Sequence, residues 1–311
     1  MAGAVSSRGC QKIRGSQIRD LIDSKHSVLF DCDGVIWNGE KVVAGATEVV
    51  SLLKRRGKNV FFVTNNCTRP REKYVQKFSR LGFADVAQEE IFSSAYCSAL
   101  YLRDVAKVQE GKVFVIGGDG VYEELRDAGV PFVEGDVDDS GMTIVDCPLE
   151  ADVKAVLVGY DDKLSFLKLA KACCYLQNGE CLFLATDPDP WHLLREGRVT
   201  PGSGSLTAAL ETATGRKATV IGKPSRFMFE CIASQFGVDP AQSLMVGDRL
   251  ETDILFGANC GMETLLTLTG VSTLQEAQGY KDSDAPDKKD YVPDYVVDSI
   301  ADFLPLLEDD D

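Results

Sequence analysis

Apolar runs of strand length alternate with segments of helical periodicity along most of this 311-residue chain, and few architectures accept that pattern. A strand, a helix and a second strand in succession build a parallel sheet, with the helices returning the chain along its faces. Strands are expected at Ser27–Phe30 (SVLF), Asn59–Thr64 (NVFFVT), Ala218–Lys223 (ATVIGK), Ser243–Asp248 (SLMVGD) and along ETLLTL from Glu263. The periodicity predicts helices near Ala46–Arg56, over Pro70–Leu81, Arg226–Phe236 and Thr252–Cys260, and over Glu89–Val105, where Phe92, Ala95, Tyr96 and Ala99 recur at helical spacing. From Lys112 to about Arg216 the alternation repeats, as a second α/β lobe would require, and the length exceeds one typical domain. The expected fold is therefore α/β: a doubly wound, mainly parallel, Rossmann-like core sheet formed by residues 1–106 and 217–311, with an α/β domain inserted over residues 107–216.

Two strands of that sheet end on carboxylates. VLFDCDG terminates on Asp31 and Asp33, and LMVGDRLETD on Asp248, with Asp253 five residues further. In doubly wound sheets the carboxyl ends of the strands form the ligand crevice. Two more strands are expected to end there, in Thr64-Asn65-Asn66 and in Gly222-Lys223-Pro224. The four ends together offer carboxylates for a cation, a nucleophile, an acid/base, and hydroxyl, amide and ammonium donors for phosphate oxygens, the inventory of metal-assisted phosphoryl transfer. In an extended chain residues i and i+2 point the same way, so Asp31 and Asp33 are expected to address one centre. Cys32 between them should face the opposite side and serve packing.

Composition narrows the function further. With 44% hydrophobic and 26% charged residues the chain is ordinary for a globular protein, and no apolar run approaches the roughly 18 residues of a membrane span. A net charge of −15 disfavours nucleic acid and anionic membranes as partners, so an anionic substrate needs local cations and oriented N–H groups. The start MAGAVSSRG lacks the apolar segment of a secretory leader, and the ten cysteines are scattered without a Cys-x-x-Cys pair. Reduced thiols in the cytoplasm are expected. Two histidines, His26 and His192, argue against a structural zinc site.

Taken in order, DCDGV, VTNN, GKPS and GDRLETD resemble the four motifs of the haloacid dehalogenase superfamily of aspartate-nucleophile phosphatases, and the long insertion resembles the subgroup with a large α/β cap. From about Ser27 to Leu304 the chain is similar to the branch acting on pyridoxal 5′-phosphate. That resemblance implies a Mg²⁺-dependent phosphomonoesterase in which Asp31 attacks phosphorus and Asp33 moves the protons. It implies Mg²⁺ held by Asp31, the Asp33 carbonyl and Asp248, with Asp253 acting through water, and Thr64, Asn65, Asn66 and Lys223 on the phosphoryl group. It also implies a homodimer through the cap, and a cap loop, DPWH, that brings His192 to the substrate ring. Where the branch has serine and arginine after the two asparagines, this chain reads Cys67-Thr68-Arg69, and no contacts are carried over there.

Competing readings stand beside these. Phosphoglycolate phosphatase shares all four motifs, and a phosphoserine phosphatase acting on cofilin is implied by the same branch. A non-catalytic phosphate-binding scaffold would have no use for Asp31, Asp33, Lys223 and Asp248 together. Asp253 is equally suited to cap the helix that begins near Ile254. The GGDG and PGSGS segments fit turns rather than phosphate loops, and Trp191 reads as structural. The segment from Tyr280 to Asp294 reads as a surface loop, and the acidic tail EDDD as a solvated end.

Overall fold

The computed structural model describes residues 9–133, 145, 148–193 and 198–307. The acidic tail Glu308–Asp311 lies outside the described residues. The chain separates into two compact units, one of residues 1–64, 75–91 and 224–311, the other of residues 65–74 and 92–223.

The first unit is built on a seven-stranded sheet in the order Gln11–Lys12, Tyr295–Val297, Glu263–Thr267, Ser243–Gly247, Ser27–Phe30, Asn59–Thr64, Ile91–Ser93. Ser27–Phe30 is an interior strand. It pairs in parallel with Ser243–Gly247 on one side (Val246 opposite Phe30) and with Asn59–Thr64 on the other (Phe62 opposite Phe30). Because later strands add to both of its edges, the winding direction reverses there, which is where such sheets bind ligands. Its four residues are buried on both faces, as their unbroken apolar run requires. On one face Trp37, Phe62, Phe78 and Phe83 interlock: Phe78 lies 4.7 Å from Trp37, 4.4 Å from Phe62 and 5.3 Å from Phe83 between ring centroids.

The second unit carries a five-stranded parallel sheet, ordered Thr219–Val220, Leu182–Ala185, Val153–Val158, Lys112–Ile116, Phe132–Val133. The helices Phe166–Leu176 and Ser203–Thr214 close over it, burying Ala172, Leu176 and Leu210 against Phe114, Val156 and Phe183. A separate antiparallel ribbon pairs Trp191–Leu193 with Val199–Pro201.

Three sequence expectations change. The strand before Lys223 does not join the core sheet: Thr219–Val220 pairs with Leu184 and Ala185, and the ladder continues through Ile221 and Gly222, whose N–H groups donate to Ala185 and Thr186 at 2.9 and 2.7 Å. Alternation predicts a strand but not which sheet receives it. Glu89–Val105 is not one helix. The pair Ile91-Phe92, a β-branched residue beside an aromatic one, forms a strand, and the helix Ser94–Leu100 starts only where the Ser93 hydroxyl accepts the Tyr96 N–H at 3.1 Å. Thr252–Cys260 is split into a π-turn, Leu250–Ile254, and a short helix, Leu255–Cys260.

Since Phe78 touches three other rings and is fully buried, Phe78→Ala should cost about 3–5 kcal/mol in denaturant-induced unfolding. A loss below about 1 kcal/mol would mean that the cluster does not support the sheet.

Candidate active site

In the first unit the extended chain ends at Phe30. The Asp31 N–H still donates to the Val246 carbonyl at 2.9 Å, but the next residues coil into a tight turn. Ile36 and Trp37 N–H groups both reach back to the Cys32 carbonyl, at 2.9 and 3.1 Å, and the Gly34 N–H donates to the Trp37 carbonyl at 2.7 Å. Gly34 sits at φ +91°, which glycine tolerates best. Asp31 and Asp33 are therefore not alternate residues of a strand, and this turn, rather than the expected extended i, i+2 geometry, holds them. Asp31 is buried, whereas Asp33 is exposed and its Oδ1 accepts the indole N–H of Trp37 at 3.0 Å. Cys32 is fully buried, as its packing role predicts.

Asp31, Asp248 and Asp253 converge, with one carboxylate oxygen from each lying within 4.8 Å of the others, all three buried. Two unit charges about 5 Å apart repel by roughly 3 kcal/mol at an effective dielectric of about 20, so this trio invites a cation. Hydrogen bonds fix the arrangement. Asp248 Oδ2 accepts the Val271 N–H at 2.7 Å; Asp253 Oδ2 accepts the N–H groups of Asp248 and Arg249, each at 3.1 Å. Asp253 thus caps the turn that follows Asp248 while its carboxylate stays in the cluster. Three glycines make the cradle. A Cβ on Gly34 would lie 2.4 Å from Asp248 Oδ2, one on Gly270 1.9 Å from the same oxygen, and one on Gly247 2.1 Å from the Asp253 Cβ. The donor set is all oxygen, which suits a hard divalent ion such as Mg²⁺ or Ca²⁺. Thr64 ends the neighbouring strand, fully buried.

The second unit holds the other expected residues. Asn65 is buried, its Nδ2 donating to the Lys223 carbonyl at 3.0 Å and its carbonyl accepting the Ser94 hydroxyl at 2.6 Å. Its Oδ1 is buried without a hydrogen-bond partner, and a Cβ on Gly222 would approach it to 2.6 Å, so a glycine before Lys223 keeps this corner open. Asn66 Oδ1 accepts both the N–H and the hydroxyl of Thr68, at 3.0 and 2.7 Å. Lys223 is 1% exposed, unusual for an ammonium group. His192 is half-buried in the ribbon, and its ring meets Tyr160 edge-on with centroids 5.1 Å apart.

The Cys67-Thr68 departure is absorbed locally. Thr68 closes the Asn66 turn, and the Cys67 sulfur accepts the Tyr160 N–H at 3.3 Å. Burial pushes the Cys67 thiol up to about 12, so it packs as a thiol rather than reacting as a thiolate. Nearby, complete burial and then the charge of Asp189 raise the Asp187 carboxyl to about 7, against the opposing hydrogen bond from Thr186 at 2.7 Å. Sequence reading missed Trp37, Tyr160, Gly247 and Gly270, and read Gly34 only as part of an Asp-Gly turn, which the structure contains. The only available signal lay in the glycines inside two of the motifs.

Gly270→Ala displaces the Asp248 carboxylate and should weaken divalent-cation binding about 10- to 100-fold by calorimetry, while the unfolding transition persists. An unchanged affinity would remove Asp248 from the cation site. For Asp187, the folded-state value lies above the unfolded one, near 3.9, so the folded form holds its proton more tightly and stability falls as pH rises from about 4 through about 7. Asp187→Asn should flatten that segment of the stability–pH curve; a curve parallel to the parent's would show that Asp187 ionises normally.

Comparison with known proteins follows the same lines. A family model described as haloacid dehalogenase-like hydrolase matches residues 28–131, and a second, HAD-hydrolase-like, matches residues 220–303. The chain is 52% identical over 303 residues to mouse (Mus musculus) chronophin, covering 96% of this chain and 99% of that protein. It is 46% identical over 311 residues to chicken (Gallus gallus) glycerol-3-phosphate phosphatase, covering 98% and 99%. A Mycobacterium tuberculosis glycerol phosphate phosphatase solved in complex with magnesium superposes with a TM-score of 0.74 at 27% identity, covering 91% of this chain and 77% of that one. With these motifs, this carboxylate cluster and relatives matched over nearly their whole length, the chain belongs to the haloacid dehalogenase-like hydrolases, among their phosphatases.

Proposed function

We propose that the protein is a Mg²⁺-dependent phosphatase that converts pyridoxal 5′-phosphate to pyridoxal through an aspartyl-phosphate on Asp31. The observation that carries the chemistry is the buried trio Asp31, Asp248 and Asp253, the first two just beyond the ends of adjacent parallel strands and the third in the turn that follows, with no room beside it for a side chain at Gly34, Gly247 or Gly270. The substrate reading rests on the resemblance to the pyridoxal phosphate branch and on 52% identity to chronophin.

The Asp31 carboxylate attacks phosphorus as the ester P–O bond breaks, and Asp33 gives its proton to the departing alkoxide oxygen. Water then attacks the phospho-aspartate with Asp33 taking a proton, which releases phosphate and restores Asp31. Asp31, the Asp33 carbonyl, Asp248 and Asp253 would hold Mg²⁺, and the chemistry supplied by the bound ion is neutralisation of charge on the phosphoryl oxygens. Thr64, Asn66 and Lys223 are assigned to those oxygens as donors, and Asn65, whose side-chain amide already donates to the Lys223 carbonyl, through its remaining N–H groups. The local geometry of Asn66 supports this: with its amide oxygen committed to Thr68, the group acts toward a ligand as a donor. Lys223 would add local positive charge there against the overall charge of −15. His192, braced edge-on by Tyr160, is assigned to the pyridine ring. A homodimer through the second unit, a cytoplasmic location and activity on the phosphoserine of cofilin belong to the same reading, with cofilin placed behind the small substrate.

Phosphate release should be compared for pyridoxal 5′-phosphate, glycerol 3-phosphate, phosphoglycolate and a cofilin phosphoserine peptide, all with Mg²⁺. The expected result is the highest kcat/KM for pyridoxal 5′-phosphate, with His192→Ala lowering that value about tenfold or more while sparing the non-aromatic esters. A clear preference for glycerol 3-phosphate or phosphoglycolate would overturn the substrate while leaving the chemistry intact.

A further inference from the structure

Asp33 poses a physical problem that its sequence position hides. It is an exposed side chain, yet a group that must hand a proton to one specific oxygen has to be held in one orientation. The residue that holds it lies four positions on. Trp37 is fully buried, its ring packed 4.7 Å from Phe78 and 6.4 Å from Phe83, with the Lys77 ammonium 3.9 Å from the ring centroid. Its backbone is fixed as well, because its N–H donates to the Cys32 carbonyl and its carbonyl accepts the Gly34 N–H. From this immobile platform the indole N–H reaches Asp33 Oδ1 at 3.0 Å.

We propose that Trp37 is a positioning residue for the acid/base step, fixing Asp33 so that Oδ2 is the oxygen that carries the transferable proton. The inference rests on the reading of Asp33 as acid and base given above. It follows from a property of the indole. Its N–H is a donor only and accepts nothing, so the oxygen it contacts must act as an acceptor whether Asp33 is ionised or protonated. The carbonyl oxygen of a protonated carboxyl accepts far better than its hydroxyl oxygen, so the indole N–H keeps Oδ1 as the carbonyl and favours the proton on Oδ2. A histidine, serine or water in the same place could accept as well as donate and would let the proton sit on either oxygen. The Lys77 ammonium over the ring draws electron density from it and strengthens the N–H as a donor. In the step itself, the ester P–O bond breaks with its electron pair going to oxygen, that oxygen takes the proton from Asp33 Oδ2, and the Asp31 oxygen bonds to phosphorus.

An ordinary reading is that a buried indole has merely found an acceptor for its N–H, as most do. The two are separated by leaving group. Expulsion of an alkoxide requires a proton, whereas 4-nitrophenolate leaves with little help. Trp37→Phe, and separately 3-benzothienylalanine at position 37, which replaces the N–H by sulfur and keeps the ring volume, should be assayed with Mg²⁺ on glycerol 3-phosphate and on 4-nitrophenyl phosphate. Both variants should lower kcat/KM for the alkyl ester about tenfold or more, with less than about a threefold loss for the nitrophenyl ester. Equal losses on both substrates, or none with the benzothienyl analogue, would overturn the proposal. Asp33→Asn provides the control. If that variant shows no leaving-group selectivity, the reading of Asp33 itself fails; if it shows the selectivity and the position-37 variants do not, only the role of Trp37 fails.

Discussion

The repulsion among Asp31, Asp248 and Asp253 is the constraint around which the first unit is arranged. Three buried carboxylates within 4.8 Å of one another oppose folding unless donors and a cation offset them. The sheet supplies the geometry, since parallel register sets the end of Ser27–Phe30 beside the end of Ser243–Gly247. The loop from Thr269 to Ser272 supplies restraint. Val271 donates to the Asp248 carboxylate, Ser272 donates to the Asp248 carbonyl at 2.9 Å and accepts the Leu250 N–H on its hydroxyl at 3.1 Å, and the Thr269 hydroxyl donates to the Gly34 carbonyl at 2.5 Å. What donors do not offset is left for a divalent ion.

The turn Cys32–Trp37 then separates two tasks that the sequence writes two residues apart. Had the strand continued, Asp31 and Asp33 would share one face and one environment. By coiling after Asp31, the chain buries that carboxylate among the others and leaves the second aspartate exposed on the edge of an aromatic cluster. The same cluster that stabilises the sheet therefore also anchors Asp33, so packing and chemistry share Trp37.

Sequence reading recovered the parallel core because its strands Ser27–Phe30, Asn59–Thr64 and Ser243–Gly247 are long apolar runs between helical segments. It missed Gln11–Lys12 and Tyr295–Val297, which are too short to carry a period and exist only as additions to a sheet already formed. It misplaced Thr219–Val220 because a strand's pattern records burial and not its neighbours. At the site, Asp31, Asp248 and Asp253 were legible from motif order. The cradle was not, because a glycine is informative only once its close neighbour is known, and the indole contact to Asp33 depends on a turn that no periodicity announces.

The central claim is that Asp31 is the nucleophile, and it is tested most directly by trapping the intermediate. The protein should be mixed with pyridoxal 5′-phosphate and Mg²⁺, quenched in acid within the first turnover, and digested for peptide mass spectrometry. The account predicts one phosphoryl group on the peptide spanning Ser27–Glu40, located at Asp31 and absent from Asp31→Asn. Phosphate release from an enzyme that never carries phosphate there, or a phosphoryl group on any other residue, would contradict it.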